Sequence, residues 1–301
     1  MDKYGKLDLS IYIPTYRRPG KVRTLKFMSQ EAIRNTRLVV RPDEYEAYKK
    51  ACPEMNILVL HHTVSNLSQT RNYILSTCRA RYCMMLDDDL EFKYRPDLGK
   101  WNLKAMHDNS MFDDMTTRMV EKMQSDNLAH CAVSPVEGHS HYLAEWNYLQ
   151  RYMRAYIFDL DVVNSVVPPK GSMGPDARFM YRDEVNGCED FDMALQLIKA
   201  GYPSVVFYAY AQTHESSNAM GGLSEYRNIE YHNNAMAELN KLWPKHVRLV
   251  ERETKQSWGG GKRIDVKVNW KKAFMDNNPE WQCRIGDETN TPYRKQEPVK
   301  L

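Results

Sequence analysis

The sequence predicts an α/β fold: an open, mostly parallel sheet flanked by helices. Three observations predict it. Short apolar runs alternate with helix-compatible stretches, one run is apolar almost without interruption, and polar clusters recur just past the carboxyl ends of the runs. The first strand covers 9–13 and is stopped by Pro14, with a basic, helix-compatible stretch over 21–32 behind it. A second strand over 37–40 precedes a helix over 43–51, favoured by Pro42 near its start and by Asp43 and Glu44 in its first turn. A third strand covers 57–60, and a helix covers 67–79. The fourth strand, 82–86, reads Tyr-Cys-Met-Met-Leu, the pattern of a central strand covered on both faces. Further on come a helix over 111–124, strands over 131–133 and 155–158, and a helix over 189–199 ended by Gly201. A last strand over 204–211 delivers Gln212-Thr213-His214-Glu215.

A chain of 301 residues suits one large domain with appendages, and 42% apolar with 27% charged residues allows a buried core and disfavours wholesale disorder. No window approaches the roughly 18 to 20 uncharged apolar residues of a membrane span, and the opening residues lack the apolar core of a signal peptide. A cytoplasmic protein with no membrane partner is expected. The six cysteines, 52, 78, 83, 131, 188 and 283, form no CxxC pair, so they read as reduced and mostly buried rather than as zinc ligands or a disulfide framework. The net charge is only +3, but the segment 241–272 carries ten Lys or Arg against three acids, +7, which leaves −4 for the rest. A solvated surface accounts for most such runs; a nucleic acid or another acidic acceptor is the alternative.

Asp87-Asp88-Asp89 closes the fourth strand. Three adjacent carboxylates repel one another, so unless fully solvated they call for a cation, and oxygen ligands suit Mn²⁺ or Mg²⁺. If the extended geometry persists, alternation puts Asp87 and Asp89 on one side and Asp88 on the other. An acidic loop or helix cap is the bland alternative, weakened by the apolar residues 82–86 before the run and by Leu90 and Phe92 after it.

The string Ser10-Ile11-Tyr12-Ile13-Pro14-Thr15-Tyr16-Arg17-Arg18-Pro19 resembles the opening strand of GT-A glycosyltransferases, whose Pro-Thr-Tyr or Pro-Thr-Asn loop holds the nucleotide. Ser68-Gln69-Thr70-Arg71-Asn72 resembles that family's helix start upstream of the aspartate strand, Glu189-Asp190 its Glu-Asp pair, and His214 lies where many members place a third metal ligand. The four features follow the family's order over residues 9–215. The resemblance implies a Rossmann-like GT-A sheet and a metal-dependent, inverting transfer of a sugar from a UDP-sugar. It makes Asp87, Asp89 and His214 metal ligands; Asp190, with Glu189, the catalytic carboxylate; and Pro14, Thr15, Tyr16, Arg17, Arg41, Arg71, Asp87 and Asp88 contacts of the nucleotide-sugar. Asp88 reads as a ribose or sugar hydroxyl contact, and Arg41 is placed by position alone. The Gln-x-x-Arg-Trp signature of processive members is missing, which argues against polymer synthesis by that route.

Within the family, Ile11-Tyr12-Ile13-Pro14-Thr15-Tyr16-Arg17-Arg18 with Val39-Val40-Arg41-Pro42-Asp43-Glu44 looks most like phage enzymes that sugar-modify hydroxymethylated pyrimidines in DNA, including the TET-associated group. The implied partner is double-stranded DNA carrying such a base, in the host cytoplasm if the chain is phage-encoded. Lys245, Arg248, Lys262, Arg263, Lys271 and Lys272 are then candidate nucleic-acid contacts, with Trp243, Trp258 and Trp270 interleaved for stacking. The expected division is a catalytic domain over 1–242, in halves 1–110 and 111–242, and a basic C-terminal extension over 243–301. Residues 258–262 read as a loop and the last fifteen residues as poorly ordered. Three other readings stand beside this one: the same fold acting on a surface glycan, lipid or protein acceptor; a nucleotidyltransferase, disfavoured by the lack of a Gly-rich loop near residue 15; and a non-catalytic nucleic-acid-binding protein.

Overall fold

The structure, a computed structural model, describes residues 2–137, 143–165, 180–214, 228–254, 262–283 and 292–294. After a short helix α1 (Lys3–Leu7), strand β1 (Leu9–Pro14) enters the core, and a 3₁₀ turn (Arg23–Phe27) and α2 (Gln30–Arg34) lead to β2 (Thr36–Val40). The expected continuous helix over 21–32 is therefore two short pieces. Met28 and Ser29 break it in extended conformation, and the Ser29 hydroxyl caps the second piece by accepting from the Ala32 N–H. Then come α3 (Tyr45–Ala51), β3 (Asn56–Val59), α4 (Leu67–Thr77), β4 (Tyr82–Leu86), β5 (Leu90–Tyr94), β6 (Lys104–Ala105), α5 (Ser110–Asp126) and β7 (His130–Pro135). They are followed by β8 (Trp146–Tyr148), β9 (Ala155–Asp159), α6 (Leu160–Ser165), α7 (Glu189–Lys199), β10 (Val205–His214) and α8 (Ile229–Leu242). The chain continues through β11 (Val247–Glu253), β12 (Lys262–Val268), α9 (Trp270–Asn277), β13 (Trp281–Cys283) and β14 (Pro292–Arg294).

One ten-stranded sheet organises these elements in the order β3-β2-β1-β4-β9-β7-β10-β5-β6, with β8 also on β10. The first four are all parallel, as the alternation of runs and helices requires; β9 enters antiparallel between β4 and β7, and β10 runs parallel to β7 but antiparallel to β5. All five residues of β4 are buried, each apolar side chain contributing about 1.5–3 kcal/mol of transfer free energy. The carboxyl ends of β1, β2 and β4 lie together on one edge of the sheet, the edge at which the ligand crevice of a parallel sheet is found.

The C-terminal elements pack onto this body: the β11–β12 hairpin lies on α8, and α9 lies on α7. Trp243 is buried, its indole N–H donating to Asp192 Oδ1 at 2.7 Å, so of the three tryptophans suggested for stacking this one belongs to the core. Trp258, and all of the loop 258–262 except Lys262, lie outside the described residues. Within the last fifteen residues, Pro292–Arg294 is a strand paired with Trp281–Cys283, a correction to the expected disorder there. Cys52, Cys78, Cys83, Cys131 and Cys188 are free and buried, as expected. Among the described residues, no helix is long and apolar enough to cross a membrane.

Candidate functional site

The three aspartates occupy the tight turn from β4 to β5, so the extended alternation expected of them does not persist. Asp88 and Asp89 instead share one cation. Arg18 Nη1 stands 2.6 Å from Asp88 Oδ1 and 3.1 Å from Asp89 Oδ2, while the Asp87 carboxylate turns toward Arg71 Nη2, 3.8 Å away. Thr24 fixes the turn: its hydroxyl donates to the Asp87 carbonyl at 2.6 Å and accepts from the Leu90 N–H at 3.0 Å.

The loop after β1 folds over this turn. Thr15 donates its hydroxyl to Asp88 Oδ2 at 2.6 Å and meets the Tyr48 hydroxyl at 2.8 Å, and that hydroxyl also accepts from the Arg18 N–H. Both Asp88 oxygens are thus engaged inside the protein, and the residue is only 5% exposed. Arg17 has φ 56°, a left-handed conformation disfavoured for a side chain with a Cβ, and its N–H is held by Glu44 Oε1 at 2.7 Å. The turn carries Tyr16 between two guanidinium groups, Arg17 at 5.0 Å and Arg41 at 4.4 Å from the ring centroid, with Arg41 anchored on the Ser65 carbonyl. Pro14, Thr15, Tyr16, Arg17 and Arg41 therefore share one rim of the crevice.

Arg71 connects that rim to the second half of the chain. It lies on α4, whose start is capped by the Asn66 side chain, and is 6% exposed beneath Asp87. Its guanidinium pairs with the buried Glu189 and faces the rings of Tyr156 and Tyr181. Glu189 opens α7, where a carboxylate suits the helix dipole; its other oxygen accepts from the Gly187 N–H at 2.6 Å. Gly187 has φ 103°, and a Cβ there would meet Tyr231 at 3.0 Å, so glycine is required. The next residue, Asp190, is gripped by Arg151 at 3.0 and 2.8 Å. His214 ends β10 opposite Leu90, because the antiparallel pairing of β10 with β5 brings it one residue past Asp89.

The protein packed around Asp87 pushes its carboxyl up to about 7 although 40% of the side chain still meets solvent, against the opposing pull of Arg71 and with the help of Asp89. Burial likewise raises Asp88, offset in part by Thr15 and Arg18. Burial and the charge of Arg154 lower His214, against Asp89 and Glu137, a shift toward the neutral imidazole, the form that can bind a metal. Among the described residues, no group of three or more His, Cys, Asp or Glu is gathered closely enough to hold a metal ion, so Asp87, Asp89 and His214 do not form a finished cage. Their donor types nevertheless fit a hard divalent cation. Among the described residues His214 Nδ1 is buried without a hydrogen-bond partner, 3.8 Å from Glu137, and Asp87 is an acid that proximity to a cation would deprotonate. A cation held by Asp87 would compete with the proton there, so Mn²⁺ affinity would fall by up to about tenfold per pH unit below about 7 and level off above it. Calorimetric titration at pH 6 and 8 measures this; equal affinities at the two values would refute it, and Asp87→Asn should flatten the profile.

Of the basic residues proposed from sequence, Lys245, Arg248, Lys271 and Lys272 line a groove of about 890 Å³ between the hairpin and the start of α9. Lys262 and Arg263 stand away from it, paired with Glu251 and Asp265. Sequence reasoning missed Arg18, Thr24, Tyr48 and Arg151. Arg18 lay inside the motif without a role, and the others have no local signal because their partners are at least 30 residues away.

A model of the family described as TET-Associated Glycosyltransferase matches residues 9–222. Among curated relatives, the Beta-glucosyl-HMC-alpha-glucosyl-transferase of Enterobacteria phage T6 is 22% identical over 252 residues, 80% of this chain and 83% of that one. The phage T2 protein of the same name is 20% identical over the same shares. Solved structures with some likeness include glucosyl-3-phosphoglycerate synthase from Mycobacterium tuberculosis with Mg²⁺ and UDP (TM-score 0.48, 8% identity, 88% of this chain and 92% of that one). Another is S. aureus TarS 1-349 (TM-score 0.45, 12% identity, 77% and 65%). With the family model spanning from β1 to just past His214, the chain belongs to the TET-associated glycosyltransferases.

Proposed function

We propose that this glycosyltransferase moves a sugar from a UDP-sugar, with Mn²⁺ or Mg²⁺, onto a hydroxyl carried by a modified pyrimidine in double-stranded DNA. The observation that carries the reading is the Arg71 bridge: one buried guanidinium lies against Asp87 on one side and Glu189 on the other, joining the acidic turn to the Glu-Asp helix start across a single crevice. Asp87, Asp89 and His214 would hold the cation, which when bound offsets the negative charge developing on the leaving diphosphate. The Arg17-Tyr16-Arg41 stack offers a flat, cationic surface to a base and its phosphates. Asp190, oriented by Arg151, is the carboxylate available to take the acceptor's proton in an inverting transfer. The names of the two phage relatives support an acceptor that is HMC or its β-glucosyl derivative.

The test is mass spectrometry of duplex DNA carrying hydroxymethylcytosine or glucosylated hydroxymethylcytosine, incubated with the protein, Mn²⁺ and a panel of UDP-sugars. A hexose-sized gain on a nucleoside is expected, and Asp89→Ala should lower its rate by more than about 100-fold, since loss of even an outer-shell metal partner costs about 10–100-fold. Donor hydrolysis with no gain on any DNA would overturn the acceptor, whereas unaltered turnover in Asp89→Ala would overturn the metal assignment.

A further inference from the structure

We propose that the groove between the β11–β12 hairpin and the first turn of α9 carries the phosphodiester backbone of the acceptor duplex and leads it to Asp190; this rests on the acceptor reading above. The groove is lined by Lys245, Arg248, Lys267, Lys271 and Lys272, all exposed, and among the described residues no acid lies in its wall. Among the described residues, only Lys272 of these five has a carboxylate partner, Asp276.

Two arrangements in the groove are unfavourable in a protein standing alone. Arg248 and Lys267 are direct cross-strand partners on the hairpin, where like charges repel. Lys271 and Lys272 occupy the first turn of α9, which holds no acid, although the positive end of a helix dipole disfavours cations there. An anion lying along the groove relieves both at once, and the N–H groups of Trp270 and Lys271 at the helix start would donate to it, that of Lys272 being capped by Asn269. A row of phosphates is such an anion, and its spacing allows several of these cations to be engaged together.

The groove adjoins the proposed catalytic carboxylate through direct contacts. Trp270 on its wall stacks on Phe191 with ring centroids 6.0 Å apart and planes 8° from parallel. The Arg151 guanidinium lies 3.8 Å from the Phe191 ring centroid and holds Asp190, while the residues just before it, Leu149 and Gln150, form the groove's far wall. A backbone seated on the five cations thus runs beside the Arg151–Phe191–Trp270 stack, a surface suited to a base turned out of the helix.

The experiment measures binding of a fluorescent 24-base-pair duplex against salt, and transfer kinetics on the same duplex bearing the modified base. For Lys245→Ala/Arg248→Ala/Lys267→Ala the slope of log K against log[salt] should become shallower by about 2 to 3, and KM for duplex should rise at least about tenfold with kcat within about twofold. Lys267→Gln alone should lower the slope by about 0.9, so the inference does not depend on the triple variant folding. Arg252→Ala, on the same hairpin but outside the groove and paired with Asp265, should change neither quantity. An unaltered slope and KM in the triple variant overturns the groove, as does equal loss in Arg252→Ala or a preference for RNA over duplex DNA. Salt-dependent duplex binding that the triple variant loses, without sugar transfer by the wild type, supports the groove while overturning the acceptor reading.

Discussion

Asp190→Asn is expected to lower kcat for transfer by about 10²–10⁴-fold with the donor's binding constant nearly unchanged, the range removed with a general base. The choice between the two adjacent carboxylates follows from what each already touches. Both carboxylates have both oxygens engaged, but the cation on Glu189, Arg71, is 7% exposed and seals that pair inside the protein, whereas the cation on Asp190, Arg151, is 35% exposed, so an acceptor can approach that pair from the surface. Asp190 sits one residue on, with Oδ2 on Arg151 and Oδ1 on the N–H of Phe191, beside the ring stack that borders the basic groove. Arg151 therefore orients the base, and Arg151→Met should lower kcat less than Asp190→Asn does. Single-turnover kinetics on modified duplex checks both, with melting curves to confirm the fold. Retention of transfer within about tenfold in Asp190→Asn would remove it from the mechanism and favour a retaining reaction.

Much of the first half was legible because its determinants are local. Strands β1 to β4 follow from short β-branched or apolar runs, and the turn chemistry after them from Pro14, Pro42 and the aspartates. What needed three dimensions was everything set by strands that enter out of sequence. β9 arrives between β4 and β7, and its approach delivers Arg154, whose carbonyl accepts the Asp87 N–H at 2.8 Å. Arg151 reaches Asp190 from the same stretch. The hairpin β11–β12 was missed although Ile264, Val266 and Val268 alternate with Arg263, Asp265 and Lys267 in its second strand, because charges fall on both faces of its first, Arg248 and Arg252 on one and Glu251 and Glu253 on the other. The aspartates failed the alternation rule for a simple reason: the chain reverses at Asp88 and Asp89 to form β5, and in that turn two neighbours can point at one guanidinium.

Arg71 carries the largest expected effect on stability. A guanidinium 6% exposed and a carboxylate 4% exposed form an ion pair that has left water on both sides, so removing either partner strands the other. Arg71→Met or Glu189→Leu should each cost about 3–5 kcal/mol in urea unfolding. The double variant should cost distinctly less than the two single losses combined, because neither charge then remains buried. Arg71→Met has a second consequence that Glu189→Leu lacks. Arg71 is the strongest influence lowering the Asp87 pKa, so its loss should move the pH dependence of Mn²⁺ binding upward from about 7, whereas loss of Glu189 should not. Single-variant losses below about 1 kcal/mol would mean that water reaches the pair. An unchanged pH profile in Arg71→Met would separate Arg71 from the aspartate turn, and with it the bridge on which the assignment of one shared crevice depends.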